Sequence, residues 1–290
     1  MQVYLPIAEM SVNALVIIAM GGVAGVLSGL FGVGGGFLLT PFLIFIGVPP
    51  AVAVGTQANQ LVGASVSGVI GHWRRGAVDV HLGLVMLAGS GLGGGLGVML
   101  FGLLQRLGQI DLVISLLYVG LLGFVGLSML AESMVALIRG RPAQLAKRTA
   151  RGWLQRLPFQ TRFEKSKLYI SALLPFGVGL AGGVMVAVMG IGGGFLLVPA
   201  MIYILRMPVG LVAGTSLFQI IATTAGVTLL QASINHTVDV MLAALLLAGS
   251  VIGAQIGARL ASRLRGETAR ALLALLVVGV ALGLAWQLVE

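Results

Sequence analysis

The chain has 290 residues, 58% hydrophobic and only 9% charged, with a net charge of +9 and a mean hydropathy of +1.09. A soluble domain carries roughly 25% charged residues, so this sequence cannot build a polar skin. That excludes a soluble enzyme, a disordered chain and a nucleic-acid-binding domain. The basic residues sit between apolar runs, which is the pattern of membrane orientation and not of a DNA-binding face. Cysteine is absent, which removes disulfides, thiolate metal sites and thiol redox chemistry.

Positions 10–71, 82–105, 112–131, 168–205, 207–235, 240–258 and 271–289 contain no charged residue. About 20 apolar residues span a bilayer. Unpaired backbone groups cost several kcal/mol there, which forces each run to be helical. The sequence predicts an all-α polytopic membrane protein. Its long helices are expected at 11–31, 52–71, 81–104 and 111–138, then at 169–189, 211–231, 239–260 and 268–289. The N-terminus lacks a Lys/Arg-rich leader and carries Glu9, so the first run reads as a span. Two more apolar stretches, 36–47 and 194–206, contain Pro41 and Pro199. At about 12 residues, or roughly 18 Å, each is too short for a straight crossing. The basic segment 139–168, whose only acid is Glu164, divides the chain. The expected organisation is a first membrane repeat over 1–138, a cytoplasmic connector over 139–168 and a second membrane repeat over 169–290. A lipid-binding loop is the other reading of the connector.

The duplication is visible by eye. Residues 32–41 read GVGGGFLLTP and residues 190–199 read GIGGGFLLVP, with eight of ten positions identical. Further on, Thr56 matches Thr215, Gln60 matches Gln219, Asp79 matches Asp239, and Gly89, Gly93 and Gly97 match Gly249, Gly253 and Gly257. Charge decides between parallel and inverted halves. With re-entrant short stretches, the 17 basic residues divide 11 inside and 6 outside. With each short stretch completing a broken crossing, they divide 16 to 1, only Arg106 lying outside. The positive-inside rule favours the second arrangement. It gives inverted repeats with about eight long spans, two short broken helices and both termini outside. Secondary transporters place their sites between such repeats.

Three successive glycines cannot sustain a helix interior. In a membrane they must line a cavity or be covered by protein. Gly34, Gly35 and Gly36, with Gly192, Gly193 and Gly194, are expected to turn backbone N–H groups toward one point. The helix that follows each run presents its own free N–H groups there, which makes an anion site without a cationic side chain. Tight helix packing is the other reading of the glycines. The next helix carries Thr56, Gln57, Asn59 and Gln60, with Thr215, Ser216 and Gln219 in the second half. These are candidate donors to a bound oxyanion, or else interhelical hydrogen bonds. Ser65, Ser67, Thr223 and Thr224 carry less weight, because hydroxyls can bond their own helix. Asp79 and Asp239 open long helices, where N-capping is the ordinary role. A coupling role for a proton or cation, helped by His72, His81 or His236, is the sharper one. Glu132 lies near a span end. No catalytic motif, metal-ligand spacing or P-loop is present, so no enzyme activity and no cofactor are expected.

The twin GVGGGFLLTP and GIGGGFLLVP motifs, the VGTQANQ and AGTSLFQ runs and the basic central segment resemble the sulfite exporter TauE/SafE family, also called the toluene sulfonate uptake permease family. The likeness covers roughly 12–289. It implies a permease that moves small sulfur-containing anions, such as sulfite, a sulfonate or sulfoacetate, across a bacterial inner membrane. Phe218 stands where the first half has Asn59, so the site need not be symmetric. The expected partners are the small anion, the bilayer and a coupling proton or cation, with no nucleic acid; a homodimer stays open. A passive anion channel is the alternative function, with a membrane scaffold or enzyme behind it.

Overall fold

The computed structural model describes residues 2–31, 36–139, 158–192, 194–261 and 266–289. A hairpin of β1 (Gln2–Leu5) and β2 (Met10–Asn13) leads into α1 (Ala14–Phe31). The short α2 (Gly36–Phe45), α3 (Pro50–Arg74), α4 (Val80–Arg106) and α5 (Ile110–Arg139) follow. The same order then recurs as β3 (Gln160–Phe163), β4 (Leu168–Ser171), α6 (Leu173–Met189), the short α7 (Gly194–Tyr203), α8 (Val209–Leu230), α9 (Val240–Ala261) and α10 (Gly266–Val289). A π-helical turn, Gln231–Asn235, extends α8.

Local sequence sets these boundaries. Pro49–Pro50 opens α3 and Pro208 precedes α8, positions where a fixed φ and a missing N–H cost nothing. Gly190 closes α6 in a left-handed cap at φ +66°, its N–H donating to Val186 O; only glycine adopts that conformation freely. The short helices α2 and α7 have 10 residues each and carry Pro41 and Pro199 inside. Among the described residues, four stretches are long and apolar enough to cross a membrane: Val80–Arg106, Ile110–Ser128, Gly210–Asn235 and Val240–Gly257. Ala14–Leu27, Gly36–Phe45, Leu173–Met189 and Ala274–Leu288 are shorter apolar stretches. With 25 residues α3 has the length but not the apolarity, because it carries Thr56, Gln57, Asn59 and Gln60. The architecture is that of a polytopic membrane protein.

The two hairpins were not expected from the sequence. Their strands are four residues long, too short for an alternation to stand out. In each, a four-residue turn ends on a left-handed residue, Glu9 or Lys167. The last residues of the 139–168 connector are thus strand and turn, while 140–157 lie outside the described residues.

Two glycine seams hold the bundle together. A Cβ on Gly249, Gly253 or Gly257 of α9 would fall within 3.0 Å of the backbone oxygen of Ile18, Gly22 or Val26 on α1. On α4, Gly89 and Gly93 stand in the same relation to the carbonyls of Phe176 and Leu180 on α6. Residue numbers rise together along both seams, so each pair runs parallel. Each also joins a helix of the first half to one of the second. Backbones this close exchange dispersion contacts that larger side chains would block. The central helix α3 packs antiparallel to α8: Gly214 lies against His72 and Ala77 at one end, while Gly55 and Thr56 meet Thr237 at the other.

Candidate functional site

The twin motifs converge on one face of α3. A Cβ on Gly36 would overlap Gln57 Nε2 and come 3.0 Å from Leu61 Cδ1. A Cβ on Gly192 would lie 2.5 Å from the same Leu61 Cδ1, and one on Gly190 2.8 Å from Val54 O and 3.2 Å from Gln57 Oε1. Glycines from both halves therefore frame the Gln57–Leu61 turn. Gln60, three residues on from Gln57, shares that side of the helix.

The polar atoms here are incompletely used. Gln57, Gln60 and Gln219 are wholly buried. Gln57 Oε1 accepts from the Thr40 hydroxyl, yet Gln57 Nε2 and both amide atoms of Gln60 have no partner among the described residues. An unpartnered buried amide costs about 1–3 kcal/mol. Such a cost persists where a ligand is meant to meet the group. Gln219 is better supplied: its Nε2 donates to Thr223 Oγ1 at 2.9 Å, and that hydroxyl lies 2.6 Å from Ser90 Oγ on α4. Gln60 has Ala64 one turn on, where Gln219 has Thr223. Gln60 Nε2 thus lacks the bond that Gln219 Nε2 makes, while Gln219 Oε1, like Gln60 Oε1, has no partner among the described residues.

Thr40 and Tyr118 escaped sequence reasoning. Thr40 lies inside the first motif, where the second has Val198, and that difference in kind was the available signal. Tyr118 is buried, donates its hydroxyl to Met189 O at 2.5 Å and touches Thr40. It thereby ties α5, α2 and the end of α6 to the Gln57 amide. We expect Tyr118→Phe to cost about 1 kcal/mol of stability, the value of one ordinary hydrogen bond, and to weaken anion binding through Thr40 and Gln57. Thermal melting with and without anion checks both; full retention of anion binding would remove Tyr118 from the site.

The other candidates separate. Asn59 is exposed, on the far side of α3 from the amide face. Ser216 is buried and bonds its own helix at Ala213 O, 3.0 Å away. The Gly194 N–H donates to Gly192 O at 2.7 Å, so it is not a free donor. Gly34, Gly35 and Gly193 lie outside the described residues. Thr56 and Thr215 have other partners: each accepts from the backbone N–H of an aspartate in the opposite half, Asp239 and Asp79, both at 2.9 Å. Asp79 and Asp239 cap α4 and α9, accepting from Leu82 N at 3.1 Å and Leu242 N at 3.0 Å. An apolar groove of about 440 Å³ lies elsewhere, along α1 and α9; its aliphatic lining offers an anion nothing.

The family model described as Sulfite exporter TauE/SafE matches residues 17–284. The chain belongs to the sulfite exporter TauE/SafE family. It is similar to the probable membrane transporter protein YjnA of Bacillus subtilis (strain 168), 32% identical over 81% of this chain and 85% of the relative. A probable membrane transporter protein of Xylella fastidiosa (strain 9a5c) is 31% identical over 83% of both chains. The probable membrane transporter protein YunE of Bacillus subtilis (strain 168) is 24% identical over 78% of both. No solved structure matches the chain. Membership of this family, whose relatives are named as membrane transporters, makes the buried amide face a transport-site candidate.

Proposed function

We propose that this TauE/SafE protein is a secondary transporter that carries a small sulfur oxyanion, such as sulfite, a sulfonate or sulfoacetate, across a bacterial inner membrane by alternating access. The observation that carries the reading is the buried amide of Gln60, without a partner among the described residues, beside that of Gln57 and the glycines Gly36, Gly190 and Gly192. An oxyanion accepts hydrogen bonds, and these amides supply N–H donors without a fixed positive charge. Such a site binds an anion weakly enough to release it.

Inverted repeats are the second part of the proposal. The hairpin that opens the first half meets the N-terminal end of α3, through Asp239 and Thr56. The hairpin that opens the second half meets its C-terminal end, through Asp79 and Thr215. At 25 residues that helix is about 37 Å long, which supports halves that begin on opposite sides of the membrane. Ten crossings, counting α2 and α7, would put the 139–168 connector on the cytoplasmic side under the positive-inside rule.

The test is thermal stability of the detergent-purified protein against sulfite, sulfate, thiosulfate, sulfoacetate, an aryl sulfonate and chloride. A ligand that binds only the folded state at 100 times its Kd adds about 2.7 kcal/mol. We expect one sulfur oxyanion to shift melting selectively, and Gly36→Ala to remove that shift by displacing the Gln57 amide. A folded protein indifferent to every anion would overturn the substrate class. Uptake into sealed vesicles that collapses with an ionophore would separate a coupled transporter from a channel.

A further inference from the structure

Two more buried polar clusters lie away from the amide site, at opposite ends of α3. At its N-terminal end Asp239 Oδ2 accepts from the backbone N–H of Ile7, in the turn of the first hairpin, at 3.0 Å. At its C-terminal end Asp79 Oδ2 accepts from the Ser166 N–H, in the turn of the second hairpin, at 3.1 Å, and from the Ser166 hydroxyl. Both aspartates are buried. Each connects the hairpin of one half to a helix of the other half that it already caps, and each is braced by a threonine, Thr56 or Thr215. An isolated two-stranded hairpin is marginal, so what its turn and inner face touch decides where it sits. The inner face of the first hairpin buries Leu5, Ala8 and Val12 in one apolar cluster with Ala53 of α3. The second buries Phe163 in another, with Val212 of α8.

The two clusters differ in the turn: Asp239 takes the N–H of Ile7, whereas Asp79 takes the N–H of the next repeat position, Ser166, and its hydroxyl as well. Ser166 corresponds in the repeat to Ala8. Hydrogen bonds to a charged acceptor are the strong ones, so the second hairpin is held by one strong bond more.

We propose that the two hairpins are the end gates of the protein, latched by Asp239 and Asp79, and that Ser166 makes the Asp79 latch the tighter of the two. The proposal rests on the alternating-access reading, but its test needs no substrate. The chain has no cysteine, so one introduced thiol is the only one present. Ala53→Cys and Val212→Cys place it three residues before the bracing Thr56 and Thr215, in the apolar clusters that the first and the second hairpin join. The readout is the rate of modification by a membrane-impermeant thiol reagent, in sealed vesicles of both orientations.

Adding Ser166→Ala is expected to raise the rate at V212C about tenfold, the factor for a loss of about 1.4 kcal/mol, and to leave A53C unchanged. Adding Ala8→Ser, which gives the first hairpin the missing hydroxyl, is expected to slow A53C by a similar factor and leave V212C unchanged. Equal acceleration at both thiols by Ser166→Ala would mean general loosening and would overturn the proposal. So would unchanged rates with both variants. Ala8→Ser keeps the test open if Ser166→Ala does not fold. A protein that moves no anion yet shows the expected labelling would sink the transport reading alone; one that transports with unchanged labelling would sink the latches alone.

Discussion

Gln60→Leu is expected to make the protein more stable and unable to transport. Both amide atoms of Gln60 are buried without a partner among the described residues, and each such group costs about 1–3 kcal/mol. Leucine has a similar size and no polar atoms, so the ligand-free protein should gain at least about 1 kcal/mol. In the same variant the anion loses a donor that sits in a water-poor site, where hydrogen bonds are electrostatically stronger than in water. Anion-induced stabilisation and vesicle uptake should both disappear. Two melting curves, with and without anion, plus one flux measurement decide the matter. Raised stability with intact transport would show that Gln60 is an uncompensated core amide and not a ligand. Gln57→Leu is a poorer probe, because it also strands the Thr40 hydroxyl.

The second large effect concerns the helix seams. Gly93→Ala is expected to disrupt assembly, whereas Gly95→Ala on the same helix should be tolerated. A Cβ on Gly93 would press on the carbonyl of Leu180, a backbone group that cannot rotate aside, while a Cβ on Gly95 meets nothing within 4 Å. Overpacking of this kind costs about 1–3 kcal/mol and occasionally more. Gly95→Ala should instead gain a few tenths to about 1 kcal/mol from helix propensity. The contrast can be read from the fraction of monodisperse protein after extraction and from its melting temperature. Equal behaviour of the two variants would contradict the parallel packing of α4 on α6. Gly253→Ala, in the equivalent seam against Gly22, should reproduce the Gly93 result.

The helical membrane character, the two short Pro-containing segments and the twin glycine motifs were legible in the amino-acid sequence. The reason is physical: a bilayer punishes every charge and every unpaired backbone group, so charge-free runs and their breaks report spans directly. The glycine motifs and Gln57 and Gln60 could be singled out for the same reason, as polar or unstable features that a membrane segment would otherwise lose. What the sequence could not supply was the assignment of each polar side chain to a partner. Thr56 and Thr215 read as donors to an anion; folding spends them on aspartates 183 and 136 residues away. Asn59 stands between two amide-site residues in the chain and falls on the outer surface, because a helix turns by about 100° per residue. Gln60 and Gln219 are equivalent in the repeat, yet Thr223 meets the Nε2 of one, while among the described residues no partner meets either amide atom of the other. The amino-acid order alone was enough to read a helical membrane protein of the TauE/SafE kind that carries its glycine motif twice. Which amides lack a partner among the described residues was settled by tertiary packing, because an open hydrogen-bond donor is defined by what every other helix brings within 3 Å of it.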